Sequence, residues 1–198
     1  MSLPGKLVII SGPSGAGKST VVSQLIAESD LPLVLSVSAT TRPPRAGEQN
    51  GVNYWFLSSE EFQKKRQKGE FLECKEVFGR GYWYGTLKET VKAGLESGKW
   101  VILEIDVQGA LTVQQHFPNA IMIFVHPGSM DELERRLRAR NTESEDAIKR
   151  RLDVAFDEMG LRHNYTHEVI NENVDTTVER INHLLQQYQG EETPCSKS

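Results

Sequence analysis

Cysteine is nearly absent: Cys74 and Cys195 are the only two among 198 residues, and no CxxC or HExxH spacing accompanies them. A disulfide framework and a structural zinc site are thereby excluded as organising devices, and a reduced, cytoplasmic chain is expected. No apolar run approaches the length of a membrane span, and the start, Met1-Ser2-Leu3-Pro4-Gly5-Lys6, lacks the apolar stretch of a secretory leader. No membrane partner is expected. Positive charge is not in excess either: 23 Lys and Arg against 27 Asp and Glu leave a net charge of −4, so nothing attracts a polyanion globally. Nucleic acid is therefore not an expected partner, and any phosphate has to be held by locally concentrated Lys, Arg and backbone amides. No internal repeat is visible, and the length suits a single domain with insertions.

What the chain does have is a series of short, continuous apolar runs. Leu7-Val8-Ile9-Ile10, Trp100 to Ile105 and Ile121 to Val125 read as strands buried on both faces, with Leu33 to Leu35 and Val169-Ile170 as weaker candidates. Helical stretches separate them, and several begin with a hydroxyl residue followed three positions later by Glu: Ser58 with Glu61, Thr86 with Glu89, Ser129 with Glu132 and Thr142 with Glu145. Val174, Val178, Ile181, Leu185 and Tyr188 form one apolar stripe of a final helix that must pack on the core. The pattern predicts an α/β fold with a parallel β-sheet core flanked by helices. Between Ser36 and Tyr84 it changes to polar, Gly- and Pro-punctuated sequence with many aromatics, which reads as an inserted, partly antiparallel lobe.

Gly12-Pro13-Ser14-Gly15-Ala16-Gly17-Lys18-Ser19 fits the P-loop pattern, follows a predicted strand and opens a predicted helix through Thr20. The glycines let successive amides turn inward on phosphates, the helix adds its N-terminal amides and dipole, Lys18 bridges the transferred phosphate, and Ser19 is placed to ligate Mg²⁺. Such sites use an acidic residue at the end of a neighbouring strand; Glu104 and Asp106 have the same strand parity and both qualify.

Further residues bring a resemblance into view. Ser36 to Glu48, then Gly51 and Tyr54, Phe71-Leu72-Glu73, Tyr84-Gly85-Thr86, Glu104 to Gly109 and Arg136 to Thr142 resemble, in order, segments of the guanylate kinase family, over roughly residues 6 to 188. The resemblance implies a P-loop kinase fold with an inserted GMP-binding lobe and a helical lid. The division expected is core 1–32, 87–128 and 163–188, lobe 33–86, lid 129–162 and tail 189–198. It further implies that Ser38, Arg42, Arg45, Tyr54, Glu73, Tyr84, Thr86 and Asp106 bind GMP, that residues 12–20 and Asn171 bind ATP, and that Lys18, Arg42, Arg136, Arg140 and Arg151 are catalytic. Magnesium would sit on Ser19, with Asp106 contributing through water. Two departures from the family's pattern stand out. Glu172-Asn173 replaces two acidic residues, and the loop Gly79 to Gly85 is two residues longer.

These roles also make chemical sense residue by residue. Two arginines three positions apart offer a donor fork matched to phosphate oxygens. Guanine presents N1–H and its exocyclic amino group side by side, so one carboxylate such as Glu73 can accept both, whereas adenine has no such pair. Arg136 and Arg140 share a helix face, and Arg151 comes from the next helix, while Arg135, Arg138 and Arg150 are expected to be solvated. The implied activity is ATP:GMP phosphotransfer, converting GMP and dGMP to the diphosphates with ATP and GMP as substrates and Mg²⁺ as cofactor. A non-catalytic binding module and a kinase for another nucleotide are the alternatives. Oligomeric state is left open by the sequence, a homodimer or higher homo-oligomer included.

Overall fold

A computed structural model describes residues 5–77, 81–139 and 144–190. Elements follow in the order β1 (Leu7–Ser11), α1 (Lys18–Glu28), β2 (Leu33–Leu35), β3 (Ala39–Thr40), β4 (Trp55–Phe56), α2 (Ser59–Gln67), β5 (Phe71–Val77), β6 (Tyr82–Leu87), α3 (Lys88–Glu96), β7 (Trp100–Glu104), α4 (Val107–His116), β8 (Ile121–His126), α5 (Met130–Ala139), α6 (Glu145–Gly160), β9 (His167–Ile170) and α7 (Val174–Gln187).

Five strands form a parallel sheet in the order β2-β7-β1-β8-β9. The apolar runs are continuous because both faces are covered. In β1, Val8 and Ile10 face a core completed by Val21, Val22 and Leu25 of α1 and by Val178, Ile181 and Leu185 of α7. Leu7 and Ile9 face the opposite core, shared with Val91 of α3 and Val107, Ala110 and Val113 of α4. The two weak strand candidates, at 33–35 and 169–170, are the sheet's edges. Since β2 pairs with β7, residues 33–35 belong to the parallel sheet, and the strands of the lobe follow them.

The lobe is a four-stranded sheet, β4-β3-β6-β5, mixed because β3 pairs parallel with β4 but antiparallel with β6. Its small core is closed by Phe62 stacked on Phe71, ring centroids 4.4 Å apart. The lid is the pair α5 and α6, joined through Leu133, Leu137 and Ala155.

The predicted capping boxes fared unequally. Ser58 and Glu61 form the full reciprocal pair at the start of α2. Ser129 accepts from the Glu132 amide, while the Glu132 carboxylate turns to Arg135 and Arg136 instead. Thr86 caps nothing: it lies in β6, its hydroxyl donates to Glu73, and α3 starts after Leu87 without a side-chain cap. Strand pairing outweighed the local signal there. Thr142 lies outside the described residues, and Ser144 caps α6. No described helix is long and apolar enough to cross a membrane.

Candidate functional site

Parallel strands bring all their carboxyl ends to one side, and that is where the chemistry-bearing residues gather. β1 delivers the Gly12–Ser19 turn, β2 leads to Ser38, β7 ends in Glu104 with Asp106 beyond it, and β9 is followed by Asn171. A cavity of about 440 Å³ opens there, lined by Gly12, Ser14 and Lys18, by Glu73, Lys75, Tyr54 and Tyr84 of the lobe, and by Arg151 and Glu158 of the lid.

In the turn, Gly12, Gly15 and Gly17 all have positive φ, which bends the backbone around the Lys18 ammonium. That ammonium donates to the carbonyls of Gly12 at 2.7 Å and Pro13 at 3.0 Å. Burial presses it below the ordinary lysine value, against the opposing pull of Glu104 and Glu158. Gly15 is also needed for space: a Cβ there would come 2.8 Å from Leu137 of the lid helix α5. Ser19 Oγ donates to Glu104 Oε1 at 2.5 Å. Of the two acidic candidates, Glu104 therefore reaches the P-loop serine, while Asp106 caps α4 through the Gly109 amide at 2.8 Å and pairs with Lys75 at 2.6 Å.

In the lobe, Arg42 is almost buried and sits over the rings of Tyr54 and Phe56. Its Nε donates to the Tyr84 hydroxyl at 3.1 Å, and its fork grips Glu48 at 2.8 and 2.9 Å. This contact holds the Glu48 carboxyl down at about 2 and raises the guanidinium further above its already high value. Glu48 also accepts from the Arg45 amide at 2.7 Å, so one carboxylate shapes the whole turn that carries both arginines. The Arg45 side chain is exposed. Glu73 accepts from Thr86 at 2.7 Å; burial, with Asp106 nearby, pushes its carboxyl up. Gly109 leaves room for it against α4: a Cβ there would lie 3.0 Å from Glu73 Oε2.

The sequence profile of the family described as Guanylate kinase matches residues 4–188. The chain belongs to the guanylate kinase family. A guanylate kinase of Rhodopirellula baltica is 59% identical over 197 residues, covering 98% of this chain and 93% of its own. One from Caldanaerobacter subterraneus subsp. tengcongensis is 48% identical, covering 91% and 86%. Among solved structures, a guanylate kinase from Anaplasma phagocytophilum matches with a TM-score of 0.75 at 32% identity, covering 96% of this chain and 89% of the other.

With the guanylate kinase framework in place, most of the expected site residues fall into two groups. Lys18, Ser19, Ser38, Tyr54, Glu73, Tyr84, Asp106 and Arg151 converge on one cavity or on its immediate wall, with Arg42 and Thr86 just behind them. Arg151 donates to Ser14 Oγ at 2.6 Å and so docks the lid on the P-loop. A second group acts at the back of the turn. Asn171 is buried, donates to the Ala16 carbonyl at 2.7 Å and accepts from Thr177 at 3.1 Å, and Arg136 donates to the Asn171 carbonyl at 2.7 Å. Arg140 lies outside the described residues. Arg135, Arg138 and Arg150 are exposed, the first two tied to neighbouring glutamates.

Three residues of the site carried no role in the sequence reading: Glu48, Lys75 and Glu158. Glu158 follows Arg151 by two helical turns, so it shares that face of α6 and meets the same P-loop. Burial, with a contribution from Asp106, lifts its carboxyl to about 7, while Lys18, Lys75 and the Ser14 amide limit the rise. Asn173, which replaces an acidic residue of the family's pattern, caps α7 by accepting from the amides of Asp175 and Thr176.

Proposed function

We propose that this chain transfers the γ-phosphoryl group of ATP to a phosphate oxygen of GMP, giving ADP and GDP, and accepts dGMP as well. The observation that carries the reading is that one cavity joins the P-loop lysine to the guanine-matched carboxylate Glu73, with Tyr54 and Tyr84 also on its wall and Arg42 packed behind them. Donor and acceptor phosphates would meet over Lys18, with Arg42 and Arg45 on the acceptor and Arg151, Arg136 and Arg140 on the donor.

A nucleoside monophosphate loses its second phosphate proton at about pH 6, as phosphorylated side chains do, so the acceptor is largely ionised at neutral pH and needs no general base. The obstacle is repulsion between two polyanions, and the chain answers it with fixed positive charge and inward amides rather than with a proton-transferring dyad. Glu73 would take N1–H and the exocyclic amino group of guanine, Thr86 holding its other edge, and Ser38 and Asp106 would complete the base subsite. Closure of α5 and α6 over the donor would exclude water and suppress idle hydrolysis of ATP.

Magnesium fits the donors present: a hydroxyl and a carboxylate, both hard oxygens, stand together beside the phosphate cradle in Ser19 and Glu104. Magnesium characteristically keeps several waters and takes further ligands from substrate phosphates, so one or two protein oxygens suffice. When bound, the ion would neutralise charge on the β- and γ-phosphate oxygens. Asp106 is committed to α4 and Lys75, so a water-mediated contact is the most it would add.

The test is release of ADP measured with GMP, dGMP, AMP, UMP and dTMP as acceptors. Turnover with GMP well above the adenine and pyrimidine nucleotides is expected. No turnover with any would leave a binding module, and preference for another nucleotide would move the base subsite away from Glu73.

A further inference from the structure

Lys75 is a cation set among the carboxylates that line the cavity. It lies two positions beyond Glu73 on β5, so both side chains project to the same face of the lobe sheet, and both line the cavity. Directly across the strand pair it faces Tyr84 on β6. Its ammonium reaches the neighbouring helix, where Nζ lies 2.6 Å from Asp106 Oδ2. The other oxygen of Asp106 accepts from the Gly109 amide, so the carboxylate is held at both oxygens, one by a helix N-terminus and one by this lysine. Glu73, Asp106 and Glu158 are among the acidic groups that line the cavity here. Electrostatically, Asp106 makes an ionised Glu73 costlier and Lys75 makes it cheaper. The Lys75 and Asp106 side chains remain 41% and 31% exposed, so the pair borders the open cavity rather than being buried as a structural strut.

We propose that Lys75 is a positioning residue for guanine recognition: its ion pair fixes Asp106 and screens that charge from Glu73, leaving Glu73 as an ordered acceptor for the two donors of guanine. The inference rests on the GMP kinase reading above and extends it. An unscreened pair of carboxylates in a half-closed cavity relieves its repulsion by rotating apart or by taking up a proton, and either change removes acceptor capacity where the base needs two lone pairs side by side. Ground-state recognition of the base would suffer, while the phosphates react at the other end of the cavity. Arginine at this position keeps the charge and can still reach Asp106; methionine keeps the length and loses the charge.

The experiment is initial-rate kinetics of the wild type, Lys75→Met and Lys75→Arg at saturating MgATP, with GMP and with IMP, whose base has N1–H but no exocyclic amino group. For Lys75→Met, KM for GMP is expected to rise about tenfold with kcat changed much less, the signature of lost ground-state binding. The GMP/IMP ratio of kcat/KM is expected to fall, because the second donor has lost its partner, and KM for ATP to stay as it was. Lys75→Arg should restore most of both quantities. A GMP KM and a GMP/IMP ratio within twofold of wild type in Lys75→Met overturn the proposal, as does a fall in kcat with KM unchanged, which would place the ammonium at the reacting phosphates. Failure of the wild type itself to use GMP would instead remove the reading on which the proposal rests.

Discussion

The hydroxyl of Ser19 donates to Oε1 of Glu104 at 2.5 Å, tying the first turn of α1 to the last residue of β7. The two residues are 85 positions apart, and only the pairing of β1 with β7 makes them neighbours. If they form the magnesium subsite, Glu104→Gln keeps the shape and removes one charge. The concentration of free Mg²⁺ giving half-maximal rate should rise by roughly 10- to 100-fold, the usual scale for weakening a metal's immediate surroundings. The rate titrated against Mg²⁺ at fixed ATP and GMP measures this, and an unchanged midpoint removes Glu104 from the subsite.

Lys18 places a buried ammonium against two carbonyls of its own turn, ready to exchange them for phosphate oxygens. Replacing it with alanine removes a charge aimed at the developing transition state. A loss of about 10²–10³-fold in kcat is expected, on the scale of deleting one preorganised stabilising donor. GMP affinity, measured by calorimetry, should stay within a few-fold, since the acceptor is held by the lobe. Retained turnover would deny Lys18 its role.

Glu73 accepts from Thr86 through one oxygen and lines the cavity. In Glu73→Gln an amide –NH₂ replaces one acceptor and opposes the donors of guanine. Hydrogen bonds to a charged partner are worth about 1.5–3 kcal/mol, so GMP affinity should fall by roughly 10- to 100-fold with KM for ATP unchanged. Unaltered GMP binding in a calorimetric titration would take Glu73 out of the base subsite.

Glu158 offers a prediction in pH. Its carboxyl is raised to about 7 from an ordinary 4.5, so the folded state binds its proton more tightly than the unfolded chain does. The stability this group contributes is complete below 4.5 and is lost as pH rises through 7. Glu158→Gln escapes that loss. The Tm advantage of the variant over wild type should be smallest at pH 5 and widen by about 2–4 °C at pH 8, after allowing for the solvent screening of a partly exposed group. A gap that stays flat across this range would show that Glu158 ionises freely beside the P-loop.

How much of this was legible in one dimension depends on how local each signal is. The P-loop is contiguous, and its strand, turn and helix follow from residues 7–28 alone, because glycine placement and the apolar pattern act within a few bonds. The stripe on α7 was equally plain, since a period of 3.6 records a buried face directly. Thr86 shows the opposite case: its sequence reads as a helix cap, but the ladder between β5 and β6 claimed its backbone and Glu73 claimed its hydroxyl. Lys75 and Glu158 were silent, because an isolated Lys or Glu looks like any solvated charge until its neighbours are known.

The sequence by itself carried the class of chemistry: a phosphate-cradling turn fixed by residue type and short spacing and, through resemblance to the guanylate kinase family, the arginines and the carboxylate expected to bind GMP. Which residues meet was decided only in three dimensions. Five parallel strands carry Gly12, Glu104 and Asn171 to the same end of one sheet, the lobe swings Glu73 and Arg42 over it, and α6 lowers Arg151 onto Ser14. The physical reason is that charge interactions and hydrogen bonds depend on separations of a few ångströms through space, and chain folding, not distance along the chain, sets those separations.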